Sequence, residues 1–100
     1  MNSVNDVMRL MNQHMESIDQ FQVREIGVFG SIVRGDQTKD SDVDILVEFE
    51  ENEDTFDNYM DLKFYLEDLF NQRVDFVIAG AIKTALRKSI AESVKYAKRA

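Results

Sequence analysis

Ser41-Asp42-Val43-Asp44-Ile45-Leu46-Val47 carries two carboxylates one residue apart in an otherwise apolar run. Side chains of an extended chain alternate between faces, so Asp42 and Asp44 share one face and Val43, Ile45 and Val47 the other. One face packs and the other carries charge. Leu46 falls on the charged face, so that face is not fully solvated, and two carboxylates held there repel each other and resist desolvation. The stretch Arg73-Val74-Asp75-Phe76-Val77-Ile78 has the same character: Val74, Phe76 and Ile78 lie on one side, and Asp75 joins Arg73 and Val77 on the other. Three carboxylates with a common aspect call for a divalent cation. Mg²⁺ suits them, because it is hard, takes oxygen ligands and is commonly shared between one or two protein carboxylates and substrate phosphates.

Upstream, Arg24 to Phe29 reads as a strand with Ile26 and Val28 on one face, stopping at Gly30-Ser31. Ser31-Ile32-Val33-Arg34 reads as one helical turn closed by Gly35. Gly30 permits close backbone approach or an unusual dihedral, and the free N–H groups that open a helical turn face an anion, so Gly30 and Ser31 together can hold a phosphate. Most Gly-Ser pairs are simple turns; the eleven-residue spacing from Ser31 to Asp42 and the intervening Arg34-Gly35 set this one apart. Arg34 has two readings: it stabilises phosphate charge, or it pairs with Asp36 or Asp40 and fixes the loop.

The flanking segments supply helices. Ser3 caps a first helix in which Val4, Val7, Met8, Met11, Met15 and Ile18 recur at helical spacing, ending near Gln20. The single histidine, His14, borders this stripe and is read as a surface or packing residue. Thr55 or Asp54 caps another helix, with Tyr59, Leu62, Leu66 and Leu69 as its core face and Phe56 and Phe70 beside them. A last helix repeats Ile82, Leu86, Ile90 and Val94 and ends in basic residues suited to a helix C-terminus. The order is helix, strand, short helical turn, strand, helix, strand, helix, which predicts an α/β (α+β) protein with a small mixed β-sheet packed with helices.

One hundred residues suit a single domain spanning 1–100, with no Pro, four Gly, and 44% hydrophobic residues interleaved with 31% charged ones. The absence of Cys excludes disulfides and thiol chemistry. No apolar run approaches the roughly 20 residues of a membrane span, and the polar start lacks a basic segment followed by an apolar one, so a cytoplasmic protein without membrane association is expected. A net charge of −7 opposes direct nucleic-acid binding, which draws its affinity from phosphate neutralisation. Thirteen of the nineteen acids lie between Asp36 and Asp68, and six of the twelve basic residues between Lys83 and Arg99. The first reading of that asymmetry is two solvated faces of opposite sign; a basic last helix docking on an acidic partner is the other.

Taken together, Gly30-Ser31-Ile32-Val33-Arg34-Gly35 and Ser41-Asp42-Val43-Asp44-Ile45-Leu46-Val47 resemble the GSxxRG…SDxDLLV signature of the DNA polymerase β-like nucleotidyltransferases. Within that superfamily the resemblance is to the minimal nucleotidyltransferase (MNT) antitoxins that accompany HEPN-domain toxins, and it runs from about Val23 to the end of the chain. Val74-Asp75-Phe76-Val77 resembles the third-carboxylate strand, and Leu86 to Tyr96 the closing helix. Val33 stands where Ala is usual, Ile45 where Leu is usual, and the customary Pro before the last helix is missing. The resemblance implies that Asp42 and Asp44 ligate Mg²⁺, that Gly30, Ser31 and Arg34 belong to the nucleotide site, and that Asp75 ligates a second ion and assists deprotonation of the attacking hydroxyl. Two ions about 3.5–4 Å apart stabilise both the entering and leaving oxygens of an in-line displacement.

Family members that modify drugs, RNA ends or DNA carry further domains for the acceptor, so a chain of this length is expected to take its acceptor from a partner or from a self-associating copy. The expected activity is transfer of AMP from ATP to a hydroxyl, a tyrosine, of a partner HEPN toxin, which silences it. The alternative is a non-catalytic antitoxin that binds its toxin stoichiometrically, to which an acidic surface is also suited. The missing acceptor domain argues against a drug-modifying enzyme.

Overall fold

The computed structural model describes residues 2–81 and 84–98. Helices α1 (Val4–Gln13) and α2 (Met15–Asp19) lead into strand β1 (Val23–Phe29), the single-turn helix α3 (Ser31–Arg34), strand β2 (Val43–Phe49), helix α4 (Phe56–Phe70) and strand β3 (Val74–Ile78). A 3₁₀ turn (Ala79–Ala81), helix α5 (Thr84–Ser93) and the two-residue strand β4 (Lys95–Tyr96) follow. Among the described residues the strands form one mixed sheet in the order β3-β2-β1-β4, antiparallel except for the parallel pair β2 and β3. Helix α4 makes the connection between these two, since parallel neighbours cannot be joined by a tight turn.

The alternation read from the sequence decides which side of the sheet is dry. Val43, Ile45, Val47 and Phe49 of β2, Ile26 and Val28 of β1, and Val74 and Phe76 of β3 are buried in one cluster with Val7, Met11, Met15 and Ile18 of the first two helices and Leu62, Leu66 and Phe70 of α4. The opposite face carries Asp44, Leu46 and Glu48 on β2 and Asp75 and Val77 on β3, and α5 lies over it, with Ile90 buried. Leu46, on the charged face, is buried, as its position beneath a helix requires.

Caps end the helices where the sequence places them. Ser3 and Asp6 form a reciprocal capping box on α1, and the Thr55 hydroxyl accepts from the Asn58 amide to start α4. Asn71, at φ 51°, closes α4 in the left-handed region.

Several boundaries differ from the sequence expectation. The first helix is not continuous to Gln20: it breaks at His14, whose φ and ψ are −117° and 18°. There the ring Nδ1 lies 2.8 Å from the Leu10 carbonyl, and the His14 amide is shared between the Leu10 and Met11 carbonyls at 3.2 and 3.1 Å. Phe56 is no core residue. It occupies the first turn of α4, projects to solvent and is 76% exposed. The last helix does not reach Tyr96 but ends at Ser93, and Lys95 and Tyr96 pair with Val28 and Gly27. Ile82, expected to start its apolar stripe, lies outside the described residues.

Gly27 explains that last departure. A Cβ there would lie 2.8 Å from Val94 Cγ2 and 3.0 Å from both the Lys95 carbonyl oxygen and Tyr96 Cδ1, so the bare strand position is what lets the closing segment lie on the sheet. Gly27→Val should therefore destabilise the protein by about 1–3 kcal/mol in urea unfolding. It should also speed hydrogen exchange of the Ala97 amide, which donates to the Ile26 carbonyl at 2.9 Å. Unchanged exchange at Ala97 would show that β4 docks without the glycine.

Candidate active site

The parallel register pairs Asp44 with Asp75 on adjacent strands, and the antiparallel register pairs Asp44 with Phe29. Asp44 thus stands between Asp75 on one side and the turn after β1 on the other. Together with Phe29, Gly30, Arg34, Val77, Ile90 and Ser93, the two carboxylates line a cavity of about 280 Å³.

Gly30 fits its position for two separate reasons. Its φ of 81° and ψ of −150° lie in a region open essentially to glycine alone. A Cβ there would also collide with the Asp44 carboxylate. The turn and the carboxylate are therefore in contact, and the Ser31 backbone N–H donates to Asp44. The Val33 and Arg34 amides return to the Gly30 carbonyl, both at 3.1 Å, and Gly35, left-handed at φ 81°, terminates the turn.

Asp42 lies just ahead of β2. The Ser41 carbonyl accepts from the Gln72 side chain at 2.9 Å and the Val43 amide donates to the Arg73 carbonyl at 2.8 Å, so Asp42 is fastened on both sides to the start of β3. Its carboxylate meets Arg73 Nε at 3.2 Å in an exposed ion pair. Arg34 likewise pairs with Asp36 at 3.4 Å, as one of its two readings anticipated, yet it lines the cavity and its positive charge acts on Asp44 as well. Among the described residues it makes no ion pair with Asp40.

Burial pushes the Asp44 carboxyl above the ordinary aspartate range, and the negative charges of Asp75 and then Asp42 push it the same way; Arg34 and the Ser31 N–H oppose them. The three acids read from the sequence are thus in electrostatic contact. Among the described residues, no three acidic, histidine or cysteine side chains are grouped so that they could hold a metal ion, and Asp42 is held by Arg73. The chemistry of the donor set nonetheless fits a divalent cation: hard oxygen donors on neighbouring strands, one of them partly buried in a negative field that its own surroundings only partly offset.

Arg73 and Gly27 were not singled out by the sequence as parts of this region. Arg73 precedes Asp75 by two residues on the same face, a signal that becomes an ion pair only once β2 and β3 are placed side by side. A second cavity of about 300 Å³ lies at the far end of β2 among Arg24, Glu48, Glu50, Glu51 and Asp54. Its charge is already partly paired, through Arg24 to Glu48 and Glu50 at 3.3 and 3.4 Å.

In this mixed α/β domain a glycine–serine turn touches a strand-borne carboxylate, with a second carboxylate in register beside it. Comparison with known proteins makes the class specific. Residues 10–97 match the model of the nucleotidyltransferase domain family. Protein adenylyltransferase MntA of Thermococcus cleftensis is 40% identical over 95 residues, covering 94% of this chain and 95% of that one. A solved structure described provisionally as a minimal nucleotidyltransferase superposes with a TM-score of 0.80 at 29% identity, over 94% of this chain and 95% of that chain. The fold is also that of a Shewanella oneidensis complex of an MNT antitoxin with a tri-AMPylated HEPN toxin, with a TM-score of 0.65 at 18% identity over 93% of this chain and 73% of that one. The chain belongs to the nucleotidyltransferase domain family.

Two predictions follow from the turn and the carboxylate. Gly30→Ala should cost on the order of 1–3 kcal/mol from backbone strain alone, and more because of the collision with Asp44. Gly35→Ala, whose added Cβ meets nothing within 4 Å, should cost only about 1–2 kcal/mol of left-handed strain; equal losses for the two variants would contradict the contact. Second, a carboxyl whose folded-state pKa is raised contributes stability that is fully present below the unfolded-state value of 3.8 and is lost as pH rises through the folded-state value. Asp44→Asn should therefore melt a few degrees above the parent protein at pH 7, with the difference closing as the pH is lowered below that of aspartate ionisation.

Proposed function

We propose that this nucleotidyltransferase is a Mg²⁺-dependent protein adenylyltransferase, a single minimal domain over 1–100, that transfers AMP from ATP to a tyrosine hydroxyl of a HEPN-type toxin and so acts as its antitoxin. The observation that carries the reading is the register of Asp44 with Asp75 beside a turn that only Gly30 can make. The 40% identity to a protein adenylyltransferase supports the adenylyl donor and the protein acceptor. The shared fold with an antitoxin bound to an AMPylated HEPN toxin supports the class of partner.

In this reading Gly30 and Ser31 receive the triphosphate, with Arg34 turned from Asp36 toward its charge, and Asp42, Asp44 and Asp75 would hold Mg²⁺, as two ions. Mg²⁺, when bound, supplies compensation for the phosphate charge and for the leaving pyrophosphate. Asp75, on an exposed position of β3, accepts the proton of the acceptor hydroxyl. The hydroxyl oxygen bonds to the α-phosphorus, the bond from that phosphorus to the bridging oxygen breaks, and pyrophosphate departs, leaving AMP on the acceptor. Arg73, paired with Asp42 at 3.2 Å, orients that carboxylate, and Asp42 would hold the cation in its place.

Intact-mass spectrometry of the partner toxin after incubation with ATP and Mg²⁺ tests this reading. The parent protein should add one or more AMP masses and protect a molar excess of toxin. Asp42→Asn and Asp44→Asn should each lower the rate by at least about a hundredfold, on the scale of losing an electrostatic group used in the transition state. Protection that needs equimolar protein, ignores ATP and survives both substitutions would establish the stoichiometric blocker instead.

A further inference from the structure

The bend Asn71-Gln72-Arg73 between α4 and β3 keeps its path without help from the Gln72 side chain. Asn71 is left-handed, the Gln72 backbone N–H donates to the Glu67 carbonyl at 3.3 Å, and the Glu67 carboxylate accepts from the Val74 amide at 3.0 Å. The Gln72 carboxamide is instead spent on two segments far away in the chain. Its Nε2 donates to the Ser41 carbonyl at 2.9 Å, and its Oε1 accepts from the Asn2 side-chain amide at 3.1 Å and from the Asn2 backbone N–H at 3.4 Å. Asn2 is anchored in turn, its Nδ2 donating to the Phe70 carbonyl at 2.7 Å. These partners fix which end of the carboxamide is which, since a carbonyl only accepts and a backbone N–H only donates. Both neighbours are served by one neutral group with a donor and an acceptor side by side. A glutamate of the same size lacks the donor, and a methionine lacks both.

The consequence falls one residue further on, at Asp42, which stands just ahead of β2. The Ser41 carbonyl belongs to the peptide plane that enters Asp42. The Val43 amide, which donates to the Arg73 carbonyl at 2.8 Å, belongs to the plane that leaves it. Peptide groups are planar, so holding both planes fixes the two soft dihedrals of Asp42 and with them the direction in which its side chain departs. The ion pair of the carboxylate with Arg73 is exposed and by itself a loose hold. We infer that Gln72, braced by Asn2, is a positioning residue that aims the Asp42 carboxylate so that it stays beside Asp44. This role rests on the proposed nucleotidyl transfer and adds to it two residues that line no part of the carboxylate cavity. Both are partly buried, and neither belongs to the apolar cluster that holds the sheet, so their side chains can be changed with the core intact.

A double-mutant cycle with Mn²⁺ alone as the probe, followed by broadening of the Asp44 amide signal, separates positioning from a merely structural role. Gln72→Met should raise the Mn²⁺ concentration for half-maximal broadening about tenfold, the scale on which partners of metal-holding side chains act. Asn2→Ala, which leaves the Gln72 bond to Ser41 in place but unbraced, should raise it about twofold to fivefold. Hydrogen exchange of the Val43 amide should quicken in both. In protein that already carries Asp42→Asn, each change should shift the half-maximal concentration by less than about twofold, because the group that Gln72 aims is gone. Should Gln72→Met fail to fold, Asn2→Ala carries the same cycle. Unchanged Mn²⁺ affinity in both variants would overturn the inference, and so would equal losses with and without the Asp42 carboxylate, which would make the clamp a general support of the sheet. Parent protein that shows no broadening at Asp44 and Asp75 would instead refute the nucleotidyl-transfer reading beneath it, and the inference with it.

Discussion

The parallel pairing of β2 with β3 is the constraint on which the site depends, because it sets Asp44 beside Asp75. Nothing in the carboxylates themselves favours that pairing; they repel. The register is enforced from the other face, where Val43, Ile45 and Val47 and Val74 and Phe76 are buried together under α1, α2 and α4. A slip of one residue would turn Asp75 into that cluster and Val74 and Phe76 out of it. Fully burying each aliphatic or aromatic side chain stabilises by about 1.5–3 kcal/mol, which outweighs a partly solvated repulsion between two acids. The hydrophobic core thus holds a charge arrangement that would otherwise relax.

The same site concentrates other local costs. Gly30 adopts a dihedral pair that L side chains avoid, Asp44 is partly buried with negative neighbours, and the compensation offered by Arg34 and the Ser31 N–H is incomplete. Arg34 and Arg73 each divide their charge with an acid, Asp36 and Asp42, in exposed pairs that contribute about 0–1 kcal/mol. Such pairs are easily exchanged. Neither pair therefore contributes much to the fold, and both arginines can change partner at little cost.

Periodicity made most of the architecture legible. The two-residue alternation of Val43 to Val47 and of Val74 to Ile78, and the caps at Ser3, Thr55 and Gly35, are local signals, and the elements they announce are present. The failures share a physical cause: each depends on something distant or on competition within a turn. His14 breaks α1 because its ring and amide compete for the carbonyls of Leu10 and Met11, in a sequence without Gly or Pro to mark the place. Lys95 and Tyr96 continue a helical spacing yet form a strand, because Gly27, some seventy residues earlier, leaves a gap they fill. Phe56 has the hydrophobicity of a core residue but sits on the outward side of the first turn of α4. At the site, the glycine turn and the positions of Asp42, Asp44 and Asp75 could be read from spacing, whereas the ion pair of Asp42 with Arg73 needed the register of two strands separated by a helix.

The most direct test of the account is where a divalent cation goes. Mn²⁺ can replace Mg²⁺ and broadens the NMR signals of nearby amides, so its titration into labelled protein maps the site among the many acids of this chain. Broadening is expected to centre on the amides of Gly30, Ser31, Asp44 and Asp75 and to strengthen with added AMP-PNP. Broadening centred on the acidic connection from Glu50 to Asp54, with Gly30 and Asp75 unaffected, would contradict it.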